Sequence, residues 1–361
     1  MTSPVLQTGR LMAALTLSLS VVAVSPALAE HRQAPDEPTI DAMGVISQKV
    51  VHRSGAHASA TRSMAPPAGS TAAASQPITY HNGPVMTSVS KVVVIWYGNW
   101  NQADGTDTPA GQQIIRDALY GLAQAAPSGY TNYAGVTTGA SSTLGHFTQS
   151  NPAGAVSQIS SVNLVEVPQA ASSAYGGTNL SDSSVQALVK AAANAPGVGA
   201  DPNAIYLVLS SGEIGERSGF LTQYCGWHTY STISGQTLKY GFIGNPKKNI
   251  AACNANTTGV SPNGNPGVDA MVSVIAHELE ETATDPLLNA WWNAGGSENG
   301  DMCAWTFGAS PTKISSTNTA TNGAYYNVTL PAKSGSRSYL IQRALASSNS
   351  KCYVNANGQV Q

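Results

Sequence analysis

The chain has 361 residues and a net charge of −2, and only 10% of its residues are charged, against about 25% in ordinary soluble proteins. No basic run or basic helix offers a stripe to neutralise phosphates, which excludes a nucleic-acid partner. Ser, Thr, Asn, Gly and Ala replace the missing charges, a surface that suits an extracellular protein.

At the N-terminus, Arg10, an apolar run from Leu11 to Val24 and Ala27-Leu28-Ala29 before Glu30 predict a secretory signal peptide over 1–29. The run falls short of the ~20 residues of a membrane span and no second long apolar stretch follows. No stable membrane span is therefore expected, and an uncleaved anchor is the alternative. From Glu30 to Gln76 the chain is rich in Ala, Ser, Pro and His, as in Ala65-Pro66-Pro67-Ala68. Such a stretch buries too little apolar surface to offset its ordering entropy, so 30–76 reads as a disordered linker or pro-segment. A helix around Ile40 to Val51 docking on the domain is the other reading.

The remaining 77–361 reads as one large α/β domain. Lys91 to Tyr97 (KVVVIWY) has the near-continuous β-branched character of a strand buried on both faces. Pro109 to Ala126 spaces Ile114, Ile115, Ala118, Leu119 and Leu122 at helical intervals. Ser181 caps a predicted helix running to about Ala195, and Ala204 to Leu209 is a second buried strand. Asp269 is the expected cap of a further helix, which Pro286 ends. This alternation predicts a mixed, partly parallel sheet flanked by helices. The four cysteines, Cys225, Cys253, Cys303 and Cys352, follow a signal peptide and predict two disulfides. Pairing neighbours in order, Cys225 with Cys253 and Cys303 with Cys352, closes the shorter loops.

Chemistry concentrates in the last of these helices, VIAHELEETATDP over 274–286. His277 and Glu281 stand four apart, so a helix puts imidazole and carboxylate on one face, with Glu278 adjacent. The layout resembles the zinc-peptidase helix H-E-x-x-H with glutamate in place of the second histidine. In such a zincin-like reading His277 and Glu281 are metal ligands, and the third comes from the acidic loop downstream, Glu298 or Asp301. Glu278 is then the base that takes the proton of the attacking water. One histidine and two carboxylates favour zinc less decisively than two histidines do, which leaves manganese or calcium as alternatives. The competing reading is a hydrogen-bonded polar network without an ion.

Other chemistries find less support: no G-x-S-x-G elbow and no P-loop occur. His228 and Tyr230, in Tyr224-Cys225-Gly226-Trp227-His228-Thr229-Tyr230, are candidate cleft residues, although a histidine beside a disulfide is more often structural. His81 precedes an Asn-Gly turn and reads as its stabiliser. Trp96, Trp100, Trp291, Trp292 and Trp305 could stack on sugar rings but more often pack.

Six segments carry a resemblance: ITYHNGPVM, VVVIWYGNW, YLVLSSGEIGE, YCGWHTY, the motif helix and ENGDMCAW. In this order, from Ile78 to Cys352, they resemble the EXORDIUM or phosphate-induced protein family. The resemblance implies an extracellular, cell-wall-associated protein and matches the plant pattern at His277, Glu278 and Glu281. The signal sequence and Ala-rich linker look bacterial and differ from plant members, so plant hormone signalling is not carried across. Three functions follow as expectations: a metal-dependent hydrolase of peptide or cell-wall material, a non-catalytic binder of extracellular polymer, or a structural metal site without turnover.

Overall fold

The computed structural model describes residues 77–123, 147–156, 164–256, 259–294, 296–307, 318–346 and 351–353. The expected signal peptide, the linker with its alternative helix, and the last residues of the helix drawn to Ala126 lie outside these.

The architecture is mixed α/β around a five-stranded sheet. Its elements are β1 (Lys91–Tyr97), α1 (Pro109–Ala123), β2 (Leu164–Gln169), α2 (Asp182–Ala193), β3 (Ala204–Ser210), β4 (Gly226–Ile233), β5 (Gln236–Gly244) and α3 (Pro266–Thr284). The strand order is β2-β1-β3-β5-β4. The first four are parallel, and β4 closes one edge by pairing antiparallel with β5. A two-residue loop joins β4 to β5, with Ser234 and Gly235 both at positive φ (51° and 78°). That is the left-handed geometry a tight hairpin needs to match the strand twist.

Every residue of β3 and all but the first of β1 are buried, as strands covered on both faces require. Even-numbered side chains Val92, Val94 and Trp96 join α1 and α3 in one core. Odd-numbered Val93, Ile95 and Tyr97 join α2 in the other. The five apolar positions of α1 are all buried. Ser181 caps α2, its hydroxyl accepting from the Ser184 N–H at 3.2 Å. Both disulfides pair as expected, Cys225–Cys253 and Cys303–Cys352.

The start of α3 corrects one expectation. Asn265, not Asp269, is the cap, accepting from the Val268 N–H at 3.3 Å. Pro266 follows at the first helical position, where its fixed φ and missing N–H cost nothing. Asp269 instead sits inside the helix and accepts from Asn263 N and Nδ2 at 2.9 and 2.6 Å. At the other end the helix stops at Thr284, before Pro286. From Gly267 to Thr284 every residue is buried, so its charged residues have been taken out of water along with the apolar ones.

Candidate metal centre

Three segments meet over the C-terminal half of α3. The helix supplies His277, Glu278 and Glu281. Strand β4 supplies His228, which points to the α3 side of the sheet because Trp227 before it packs in the opposite core. The loop after the helix supplies Glu298 and Asp301, held by a short turn at Asp301–Cys303 and by the Cys303–Cys352 disulfide. Glycines permit the close approach. A Cβ on Gly226 would lie 2.5 Å from Val274 Cγ1, and one on Gly300 would lie 2.7 Å from His277 Nε2 and 2.8 Å from Glu281 Oε1.

Glu281 is central. Its Oε1 is 2.7 Å from His277 Nε2 and accepts from the Asp301 N–H at 2.9 Å, while its Oε2 is 3.8 Å from His228 Nδ1. Asp301 Oδ1 stands 3.7 Å from His277 Nε2. Glu278 Oε2 is 3.2 Å from His228 Nδ1, and Glu298 Oε1 is 3.6 Å from His228 Nε2. Of the two expected third ligands, Asp301 therefore faces His277 and Glu298 faces His228. His277, Glu281 and Asp301 form one group able to hold an ion; His228, Glu278 and Glu281 form another.

The electrostatics are those of acids removed from solvent. Glu278, Glu281 and Glu298 are 0%, 1% and 6% exposed. Burial pushes all three carboxyls well above the usual range, and repulsion from neighbouring acids adds to it, from Asp285 at Glu281 and from Glu281 and Asp301 at Glu278 and Glu298. The backbone N–H of Asp301 partly relieves Glu281. Glu278 Oε1 and Glu298 Oε1 have no hydrogen-bond partner among the described residues, a costly state for buried acids. Burial, followed by the nearby His277, lowers His228 to about 3, so its ring is neutral. A neutral imidazole carries one hydrogen, yet acidic oxygens stand at both of its nitrogens. One lone pair must then face a carboxylate unless a proton or a cation lies between them.

Gln342 is a partner that sequence reasoning did not identify. Its Nε2 donates to Gly300 O at 2.9 Å and stands 2.7 Å from His277 Nδ1, while its Oε1 accepts from the Trp305 N–H at 3.2 Å. In this orientation His277 Nδ1 accepts and its hydrogen sits on Nε2, towards Glu281. Tyr230 shares the face of β4 with His228, but none of the contacts above involves it. His81 stacks on Trp292 at 3.4 Å between ring centres, and its Nε2 lies 3.2 Å from Trp292 O. It thereby helps tie the short strand Thr79–Tyr80 to its antiparallel partner Trp291–Trp292, as well as preceding the turn. Trp96 and Trp100 are buried in the core, which removes them from any sugar-stacking role.

The phosphate-induced protein 1 conserved region matches residues 78–355. Protein EXORDIUM-like 5 of Arabidopsis thaliana is 30% identical over 254 residues, covering 64% of this chain and 65% of that protein. Protein EXORDIUM-like 3 of the same plant is 31% identical over 257 residues, 64% and 69% of the two chains. Protein EXORDIUM is 26% identical over 232 residues, 60% and 68%. The chain thus spans about two thirds of the length of these curated relatives. No solved structure matches.

Proposed function

Because the chain belongs to the phosphate-induced protein 1 family, we propose that it is a secreted, divalent-cation-dependent hydrolase of an extracellular peptide or cell-wall polymer. The observation that carries the reading is the convergence of His277 Nε2, a Glu281 oxygen and Asp301 Oδ1 within 4.8 Å of one another. Gly300 leaves open the space that a Cβ would fill between the first two. Zinc, or manganese or calcium given the carboxylate-rich set, fits these donors.

A bound cation of this kind supplies acidified water, with a pKa of about 7 on zinc. Glu278 lies one residue from the ligand His277, and its unpartnered Oε1 is the oxygen placed to take that water's proton. Glu278 would hold the proton taken from that water and hand it to the leaving group as the water oxygen joins the substrate and the scissile bond breaks. His228, 3.2 Å from Glu278 Oε2, orients the base. The signal-like N-terminus and two disulfides support an extracellular location.

Metal analysis of the purified chain tests the reading: zinc, manganese or calcium should remain after dialysis at one or more equivalents. Glu278→Gln should retain the metal and lose any hydrolysis of peptide or glycan libraries. A chain that stays metal-free after incubation with all three ions overturns it. The depth of burial favours a second reading, a cation that braces the fold without turnover. Chelation would then lower the melting temperature while every substrate library stays intact.

A further inference from the structure

Resting on that reading, we propose that Glu281 bridges two cations, one held with His277 and Asp301 and a second held with His228 and Glu278. The two oxygens of Glu281 face different imidazoles: Oε1 is 2.7 Å from His277 Nε2 and Oε2 is 3.8 Å from His228 Nδ1. A carboxylate with a nitrogen ligand at each oxygen is the bridging element of paired-metal centres, whose ions lie about 3.5–4 Å apart. The second histidine comes from the edge strand of the sheet, fifty positions before Glu278, so the motif helix alone does not reveal it.

Two further observations favour positive charge on the His228 side. Glu278 is 0% exposed, yet its Oε2 meets only the His228 ring and its Oε1 has no hydrogen-bond partner among the described residues, so the buried carboxylate lacks a compensating charge. His228 has acidic oxygens near both ring nitrogens, Glu278 Oε2 3.2 Å from Nδ1 and Glu298 Oε1 3.6 Å from Nε2, and a cation at Nδ1 would give the nearer carboxylate a partner. With four acidic side chains in the cluster, one divalent ion neutralises half their charge and two neutralise all of it. Spacing agrees. Ions with bonds of about 2.0–2.1 Å in tetrahedral geometry hold neighbouring ligand atoms about 3.3 Å apart. On the His228 side the separations are 3.2 and 3.8 Å.

The two positions are unequal. At His277 an ion must displace the hydrogen from Nε2, and the Gln342 amide must turn over to accept it at Nδ1, giving up its bond to Gly300 O. At His228 no such rearrangement is needed. The His228 position therefore loads first and more tightly. Glu278 binds through Oε2 and keeps Oε1 as the base, so the role assigned above survives.

The test is a titration of the chelator-stripped full chain with Mn2+, read by calorimetry and by electron paramagnetic resonance, with Zn2+ stoichiometry from elemental analysis. Two equivalents, in a tighter and a weaker step, and exchange-coupled manganese at the end point are expected. His228→Gln should remove the tight step and the coupling, and His277→Gln the weak step. Circular dichroism confirms that both variants are folded. One equivalent in the wild type, or two without coupling, overturns the bridged pair while leaving the single-ion hydrolase intact. No bound ion at all overturns both. The wild-type titration decides the matter even if neither variant folds.

Discussion

Replacing Gly300 by alanine probes the centre at its tightest point. Gly300 has φ −69° and ψ −45°, an ordinary helical conformation, so the backbone does not resist a side chain. Alanine even gains about 0.4–1 kcal/mol by restricting the unfolded chain. The opposing effect is steric. The new Cβ would stand 2.7 Å from His277 Cε1 and Nε2 and 2.8 Å from Glu281 Oε1, well inside the ~3.5 Å of unstrained contact. Overpacking of this kind costs about 1–3 kcal/mol, and the net loss for the ion-free chain is about 1–2 kcal/mol. Adding zinc should widen the gap. An ion at one hundred times its Kd would stabilise the wild type by about 2.7 kcal/mol, whereas the variant would carry a methyl group in the place proposed for the ion. The difference then approaches about 4 kcal/mol. Urea denaturation of both proteins, in chelator and in saturating zinc, measures each part. Equal stability in chelator would refute the packing argument. Equal stabilisation of both proteins by zinc would show that the methyl group and the ion occupy different places.

At Gln342, leucine should destabilise the chain by about 1–3 kcal/mol in urea denaturation, because the buried Gly300 O loses its donor and the part-buried Trp305 N–H its acceptor; an unchanged midpoint would mean that solvent replaces both bonds. Glu166 should shape the acid limb of stability. Burial raises its carboxyl, but hydrogen bonds from Arg116 and Trp96 outweigh this and hold it below the usual value. Its folded-state pKa is depressed, so its contribution is present above the unfolded value of about 4.3 and is lost as pH falls through the folded one. Melting curves of wild type and Glu166→Gln should therefore converge below about pH 4; parallel curves across that range would deny the linkage.

Local pattern made some of this legible and long-range pairing hid the rest. The spacing of His277 and Glu281 needs only helical periodicity, and the structure places both on the same face of α3. The buried strands β1 and β3 announced themselves by composition. By contrast, β5 reads Gln-Thr-Leu-Lys-Tyr-Gly-Phe-Ile-Gly, where glycines and a lysine blur the apolar signal, and it was not identified. His228 has an ordinary strand setting in sequence. Only the antiparallel register that sets it opposite Gly241 and the α3 packing bring it to Glu278. Its one local hint is Gly226, two positions earlier on the same face, a gap suited to a close-packed helix. Glu298 and Asp301 are three apart in a turn whose path the sequence does not specify, so their separation between two histidines was invisible. Gln342 touches His277 across 65 positions, and no pattern in the chain marks it.

Each disulfide is anchored close to the acidic cluster. Cys225 is three positions ahead of His228, and Cys303 is two positions beyond Asp301. Both histidine neighbourhoods are thus stapled by sulfur within a turn of their ligands. Reduction would remove both staples together, and should loosen the hold of β4 and the acidic loop against the helix. Assembly of the cluster is thereby coupled to disulfide formation, with both of its flanks responding to reducing conditions together.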